Sequence, residues 1–167
     1  MKIWTIGLVV FLIPLLAVST VNAAHPMTGS GHVAITGSTL ISHRVLDEDL
    51  VLLVLNNTFS VTGALSGRAT AIERDLNHTD TRIITFHGLA HFTGTLNGMS
   101  GTLLIRYAGV NNGTMIKGHF IVYAGTGQLA GVHGQGPFQG SSTAPLSYTL
   151  TWTIRTHQVE HEAEGTE

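Results

Sequence analysis

The chain contains no cysteine, and charged residues make up only 11% of its 167 residues. Without thiols it can form neither disulfides nor thiolate metal sites, and it has no cysteine nucleophile. The formal net charge is −2, and no basic cluster occurs along the sequence. This charge pattern argues against nucleic acid or an anionic membrane surface as a partner. Stability must therefore come from packing and from backbone hydrogen bonds.

Long apolar runs are also missing, except for one near the start. Residues 1–23 combine Lys2, the apolar segment Ile6–Val18 and the small-residue sequence Val21-Asn22-Ala23, which is the pattern of a cleaved signal peptide. The apolar segment contains Pro14 and is shorter than the roughly 20 residues that a spanning helix needs. We therefore expect a secreted or otherwise extracytoplasmic protein with no stable membrane insertion after the signal is removed.

The sequence has no long stretch of helical periodicity, but it contains 20 glycines and many threonine, valine and isoleucine residues. Such a composition predicts an almost wholly β protein. The clearest strand is Leu146–Arg155, in which apolar and polar residues alternate without a break. Short turn sequences such as Asn97-Gly98 separate about eight such segments, so consecutive strands should be antiparallel.

A meander of this length either folds over as a sandwich or closes on itself, and closure is favoured because it removes exposed strand edges. We predict a closed antiparallel β-barrel of about eight strands, lipocalin-like in shape, over residues 31–157. A loose lead-in at residues 24–30 should precede it. An acidic, disordered tail at residues 158–167 should follow it.

The segment T-G-x-L-x-G occurs three times, beginning at Thr62, Thr93 and Thr126. Its glycines permit a positive φ or a bulge where a strand bends, and its leucine can turn into the core. The alternative is that these are ordinary turns of a glycine-rich chain. We predict a structural role for the glycines of the three segments and of their continuations, namely Gly63, Gly67, Gly94, Gly98, Gly101, Gly127, Gly131 and Gly134.

A binding pocket is indicated by the predicted strand around Gly88. Phe86 and Phe92 flank Gly88 and Ala90 on its inward face, so two aromatic rings border a place with little side-chain volume. In a closed barrel this arrangement leaves a pocket, unless larger residues from a neighbouring strand fill the gap. The lining residues that we predict for a small, largely apolar ligand are Phe86, Phe92, Tyr148 and Trp152.

The chain has 10 histidines, the one residue type that suggests a metal or acid–base site. The alternation of the strands that carry His87, His91 and His119 sends all three outward, to the surface. We therefore predict no metal site and no cofactor.

Carboxylates do not indicate catalysis either. Glu73 and Asp75 flank Arg74, and this spacing is interpreted as mutual pairing on the surface. No catalytic constellation emerges from the sequence, so whether the chain is an enzyme stays open, and a role without catalysis is favoured.

Three glycosylation sequons begin at Asn56, Asn77 and Asn112, and all three lie at predicted strand ends or loops. If the host glycosylates exported proteins, these asparagines are the predicted sites of modification.

Three stretches of the chain resemble a family of small, mostly bacterial domains known as domain of unknown function 3224. They are Thr93–Ile105, Gly125–Gly134 and Leu146–Trp152, and the similarity extends from about Gly31 to Ile154. The resemblance implies a closed antiparallel barrel of the allene oxide cyclase-like type, related in shape to plant dirigent proteins. It implies no established activity.

The chain departs from that family's pattern at polar positions. The family commonly has a Glu-Arg pair before the first glycine motif, a histidine on the next strand and a glutamate in the second motif. This chain has Ala90-His91, Tyr107 and Gln128 there. If those family residues form a site, the resemblance implies that the site is altered in this chain.

Three functions remain open from the sequence. The first is binding of a small apolar ligand inside the barrel. The second is an enzyme of the cyclase or isomerase type, which requires an inward polar group. The third is a structural or surface-interaction protein with a filled barrel. The sequence does not determine the ligand or the oligomeric state.

Overall fold

The computed structural model describes residues 25–155, so the predicted signal peptide and acidic tail lie outside the described residues. Eight antiparallel strands follow one another in order, and the last pairs with the first to close a barrel. The predicted all-β closed barrel is thereby confirmed. The strands are β1 (Met27–Asp47), β2 (Leu50–Gly63), β3 (Leu65–His78), β4 (Ile83–Leu96), β5 (Met99–Asn111), β6 (Met115–Gly127), β7 (Val132–Ser141) and β8 (Leu146–Ile154).

The barrel is closed by the first part of β1, which pairs with β8 from Met27 opposite Trp152 to Val33 opposite Leu146. The expectation that residues 24–30 form a loose lead-in is therefore wrong for residues 27–30. These residues lack a hydrophobic pattern, but their backbone groups supply the partners that the edge of β8 needs. No helix within residues 25–155 is long and apolar enough to cross a membrane.

The second part of β1 pairs only with β2. This β1–β2 hairpin contains three register shifts, at Ile35/Gly37, Leu40/Ser42 and Val45/Asp47. Several apolar side chains on it are exposed, among them Leu40 and Val45. The strand β2 itself runs unbroken from Leu50 to Gly63.

One end of the barrel, which we call the closed end, is formed by the β2–β3, β4–β5 and β6–β7 turns. These turns contain the three T-G-x-L-x-G segments, and their leucines Leu65, Leu96 and Leu129 are only 3%, 0% and 0% exposed. Phe92, Leu103, Leu150 and Trp152 complete a tightly buried cluster with them. The repeat thus supplies the apolar plug of the closed end.

The predicted structural glycines lie at these turns and on the strands beside them. Asn97 and Gly98 have φ values of 48° and 86°, so both central residues of the β4–β5 hairpin are left-handed, as a two-residue type I′ turn requires. Gly63, Gly127 and Gly131 also have positive φ. At the remaining four positions a Cβ would crowd a backbone oxygen of a neighbouring strand, namely at Gly67, Gly94, Gly101 and Gly134.

Candidate ligand cavity and its buried polar cluster

The half of the barrel interior that lies away from the closed end is hollow. It holds a cavity of about 530 Å³ that is lined by side chains from all eight strands and partly open to solvent. The cavity extends to the opposite end of the barrel, which we call the open end, where Asn111 and the β7–β8 connection 142–145 contribute to the lining. Most of the lining is apolar, as is typical of small-molecule sites.

The hollow exists because several inward positions carry small side chains. Ala69 and Ala90 face the cavity from β3 and β4. Gly88 lies two residues before Ala90 on the same inward face, and the neighbouring Tyr107 covers it. Of the two alternatives for this strand, a neighbouring residue therefore fills the gap at Gly88 itself, while a pocket remains beside it.

Three of the four predicted ligand residues line the cavity, namely Phe86, Phe92 and Tyr148. The fourth, Trp152, does not: it is 1% exposed and belongs to the cluster that fills the closed end. Alternation along β8 points both aromatic residues inward, but Trp152 lies four residues farther along the strand than Tyr148, away from the hollow.

The hydroxyl of Tyr148 is already bound by the β2–β3 turn. It accepts a hydrogen bond from the Leu65 amide at 2.8 Å and lies 3.2 Å from the Thr62 carbonyl oxygen, to which it donates. Burial raises the pKa of Tyr148. This side chain therefore braces the turn and presents its ring, not its hydroxyl, to the cavity.

The interpretation of Glu73 and Asp75 as surface residues that pair with Arg74 is wrong. Both carboxyl side chains point into the barrel, at 8% and 9% exposure, while Arg74 is exposed on the outer face. They follow Ala69 and Ala71 at intervals of two residues, so the alternation of β3 carries them inward with the alanines. Two acidic groups thus line an otherwise apolar cavity.

Two more polar side chains complete a polar cluster, which we define as Asn57, Glu73, Asp75 and Tyr107. Asn57 is 1% exposed, and its Nδ2 donates a hydrogen bond of 2.8 Å to Glu73 Oε1. The strand register aligns Glu73, Gly88 and Tyr107 side by side on β3, β4 and β5. Because Gly88 has no side chain, the Tyr107 ring lies across β4, in the space that a Cβ would occupy.

Aromatic neighbours hold the Tyr107 ring in this position. Its centroid lies 6.1 Å from that of Phe59 in an edge-to-face contact, and 6.3 Å from that of Phe86. Edge-to-face packing is the arrangement that aromatic quadrupoles favour. The ring is therefore fixed between two other cavity-lining rings.

Three polar atoms of the cluster are buried without a hydrogen-bond partner among the described residues. They are Asn57 Oδ1, Asp75 Oδ1 and Tyr107 Oη. A buried polar group without a partner costs about 1–3 kcal/mol, so such atoms are rare in folded proteins. Their concentration beside one cavity identifies this region as the candidate functional site.

The cluster is acidic and has no internal counter-charge. Burial and repulsion from Glu73 raise the pKa of Asp75 to about 7. Burial and the same carboxylate raise the pKa of Tyr107 above its usual range, so its hydroxyl stays protonated. All lysine and arginine residues in the range 25–155 are exposed on the surface.

The histidines behave as the strand alternation predicts. His87, His91 and His119 are all exposed, on the outside of the barrel. Among residues 25–155, no group of three or more histidine, aspartate or glutamate side chains is arranged to hold a metal ion. The inward polar group that an enzyme of the cyclase or isomerase type requires is therefore neither His91 nor His119.

The positions at which the chain departs from the family pattern lie apart from one another. Ala90 and Tyr107 face the cavity, whereas His91 points outward. Gln128 lies at the closed end, where its Oε1 accepts a hydrogen bond of 2.8 Å from the Ser100 amide. Gln128 therefore supports a turn and does not reach the polar cluster.

The sequon asparagines occupy different settings. Asn56 is exposed within β2 and not at a strand end, and Asn77 is half-buried near the end of β3. Asn112 is exposed in the β5–β6 connection, where its Oδ1 accepts a hydrogen bond of 2.8 Å from the Met115 amide. Glycosylation at the three positions stays a prediction.

These features define a closed, eight-stranded antiparallel meander with one filled end and one hollow, acid-lined end. The chain belongs to the family described as "Protein of unknown function (DUF3224)", which matches residues 27–152. A crystal structure of a DUF3224 protein with unknown function from Shewanella oneidensis MR-1 has the same fold, with a TM-score of 0.66. That chain is 14% identical, and the match covers 79% of this chain and 100% of that one. No curated protein matches the sequence. The finer expectation of an allene oxide cyclase-like barrel stays a prediction.

Proposed function

We propose that this protein binds a small, largely apolar ligand in the cavity of the barrel. The observation that carries the proposal is the uneven filling of the interior. Large side chains pack the closed end to near-zero exposure, whereas a cavity of about 530 Å³ lies directly beside them. A volume of this size lies within the range of ligand sites, and an apolar lining favours an apolar occupant.

The same observation argues against a barrel that is simply filled. Phe86 and Phe120 belong to the cavity wall, and neither they nor any other described side chain occupies the hollow. An interior void forfeits dispersion contacts, so a protein that served only as a scaffold would gain stability from larger residues at Ala69 and Ala90. The small residues at these positions favour binding over a purely structural role.

Binding is tested with an uncharged fluorescent probe, N-phenyl-1-naphthylamine, whose emission rises in apolar surroundings. An extrinsic probe is needed because Trp152 lies in the closed end, where it does not contact the cavity. We expect saturable enhancement with the folded protein. Ala90→Phe should weaken the affinity at least about tenfold, equivalent to ~1.4 kcal/mol, because the new ring occupies the hollow.

The matched control places the same ring outside the barrel. Ala124 is exposed on β6, so Ala124→Phe should leave the probe affinity unchanged. If Ala90→Phe proves poorly folded by circular dichroism, Ala69→Leu narrows the same cavity by a smaller amount. Equal probe affinity in the wild type and in the folded cavity variants would overturn the proposal.

A second candidate function is acid–base catalysis of the isomerase type, and the polar cluster favours it. Asp75, with a pKa near 7, lies in a cavity beside the protonated hydroxyl of Tyr107, and perturbed groups of this kind occur preferentially at catalytic sites. A carboxylate can take a proton from carbon while a phenol donates a hydrogen bond to the adjacent oxygen. The test is exchange of deuterium from heavy water into a panel of small unsaturated ketones. Exchange that Asp75→Asn abolishes would support this function, and no exchange with any ketone would count against it.

Export of the protein is also part of the proposal, and it is supported by the signal-peptide pattern of residues 1–23. It is tested by sequencing the N-terminus of protein recovered from outside the cytoplasm. We expect the mature chain to start at Ala24.

A further inference from the structure

We propose that the ligand carries a protonated amine on its apolar body and that the nitrogen binds at the polar cluster of Asn57, Glu73, Asp75 and Tyr107. This inference rests on the proposed function, since it names the class of ligand that the same cavity would take. Different parts of the cavity wall recognise the positive charge of the ligand and its apolar body.

The polar cluster leaves buried hydrogen-bond acceptors without partners. Asn57 Nδ2 donates to Glu73 Oε1, and a carboxylate oxygen can only accept, so the amide orientation of Asn57 is fixed. Its oxygen is thereby left as a buried acceptor without a partner, and Asp75 Oδ1 is another when Asp75 has lost its proton. The third atom without a partner, Tyr107 Oη, belongs to a protonated hydroxyl, which can both donate and accept. A ligand that satisfies the amide and carboxylate oxygens must supply hydrogen-bond donors. An ammonium group supplies three donors, whereas a hydroxyl supplies one.

The negative charge of the polar cluster also favours a ligand that carries a positive charge. Two carboxyl groups two residues apart on β3 face the same cavity. Within residues 25–155 every lysine and arginine is on the surface, so no basic side chain of the described chain neutralises this pair. A buried negative charge is stabilised by an opposite charge nearby, and the cavity is the space from which such a charge can approach. An anionic ligand would meet repulsion instead.

Aromatic rings beside the polar cluster also favour a cation. Phe59 and Phe86 each pack against the ring of Tyr107, which belongs to the polar cluster. The faces of aromatic rings attract cations, because the ring quadrupole is negative above and below the plane. Other parts of the cavity wall are apolar, with Ile105, Ile116 and Leu146 among their residues, and they suit a hydrocarbon body.

The proposal carries a specific pH dependence. The groups that face Asp75 are Glu73 on its own strand and Tyr107 from β5, and its register partners on β2 and β4 are the uncharged Leu53 and Phe86. A cation binds more tightly when Asp75 has lost its proton. Because the pKa of Asp75 is about 7, affinity for an amine should rise between pH 6 and pH 8. Affinity for a neutral ligand should stay nearly constant over that interval.

The experiment compares three ligands with the same chain: octylamine, 1-octanol and octanoate. Each ligand is titrated into the complex of the wild-type protein with N-phenyl-1-naphthylamine, and displacement of the probe is followed by its fluorescence. At pH 7.5 we expect octylamine to compete at a concentration at least about tenfold lower than 1-octanol, with octanoate the weakest, since a charge-assisted hydrogen bond is roughly twice as strong as a neutral one. Asp75→Asn and Glu73→Gln should each remove most of the amine's advantage and leave 1-octanol unchanged. The control variant Glu48→Gln removes an exposed acidic group and should change nothing.

The outcomes separate the two proposals. If octylamine and 1-octanol compete equally, or if the amine's advantage survives both Asp75→Asn and Glu73→Gln, the inference is overturned while cavity binding stands. If the probe never binds, the proposed function fails and this inference fails with it. Should Glu73→Gln not fold, Asp75→Asn and the comparison of pH 6 with pH 8 still decide the question.

Discussion

The contact between Gly88 and Tyr107 gives the sharpest prediction about the construction of the site. In Gly88→Ala, the new Cβ would lie 2.7 Å from Tyr107 Cε1 and closer still to Cζ and Oη. Carbon atoms pack at about 3.5–4.0 Å, so the ring would have to retreat by roughly 1 Å. The rings of Phe59 and Phe86 border it and limit this movement.

Overpacking of this kind costs about 1–3 kcal/mol. For a domain of this size, a loss of 1 kcal/mol lowers Tm by roughly 4 °C, so we expect Gly88→Ala to lower Tm by about 4–12 °C. Differential scanning calorimetry provides the measurement. Gly140→Ala is the control, because its Cβ would keep at least 3.1 Å from its nearest neighbours, and its loss should be much smaller.

A double-mutant cycle identifies the cause. Tyr107→Leu shortens the side chain that the new methyl group meets, so Gly88→Ala should cost little in that background. Equal destabilisation by Gly88→Ala with and without Tyr107 would refute the claim that this ring occupies the space over Gly88. A wild-type Tm for Gly88→Ala would refute it as well.

Two further predictions follow from the same structure, and a third follows from the sequence of residues 1–23. Tyr148→Phe leaves the Leu65 amide without its 2.8 Å acceptor and should lower the free energy of unfolding by about 1–3 kcal/mol in urea denaturation, whereas loss of no more than 0.3 kcal/mol would contradict the bracing role. Burial and the neighbouring Glu73 raise the pKa of Asp75 from 3.8 to about 7 on folding, so the folded state binds more protons and stability should fall as the pH rises from 4 to 7. Urea titrations of Asp75→Asn should lack that part of the decline, and an identical decline in the variant would refute the assignment. N-terminal sequencing should find Ala24 first, and an intact Met1 in the exported protein would contradict the signal peptide.

The barrel was predictable because its evidence is local. Alternation along β8, the Asn97-Gly98 turn and short connections each specify antiparallel neighbours without knowledge of distant contacts. The role of the repeat leucines was also predictable from the sequence, because an apolar residue flanked by glycines in a turn is expected to pack into the interior. Leu96 and Leu129 have no exposed surface.

The polar cluster was not predicted, for a reason visible in β3. One face of that strand carries Ala69, Ala71, Glu73 and Asp75, and the other carries Ile72 and Leu76 among polar residues. Small alanines give a weak apolar pattern, so the face with the larger aliphatic residues was an equally good candidate for the interior. In the structure Ile72 is 42% exposed.

Other parts of the site depend on register, which a single strand does not encode. The position of Tyr107 over Gly88 requires the alignment of β4 with β5, and the hydrogen bond of Asn57 with Glu73 requires that of β2 with β3. Alternation places Trp152 inward but does not give its height along the barrel. The sequence therefore predicted which side chains face inward on a strand with a clear apolar pattern, such as β8, but not on β3. It did not predict which residues of neighbouring strands lie close together.

The central claim is that the hollow half of the barrel holds a ligand, and a crystal structure of the protein grown with octylamine tests it most directly. The account predicts hydrocarbon density between Phe86 and Phe120, with the nitrogen about 3 Å from Asp75 Oδ1 or Asn57 Oδ1. Density for octylamine only on the outer surface, with none in the cavity at saturating ligand, would contradict it.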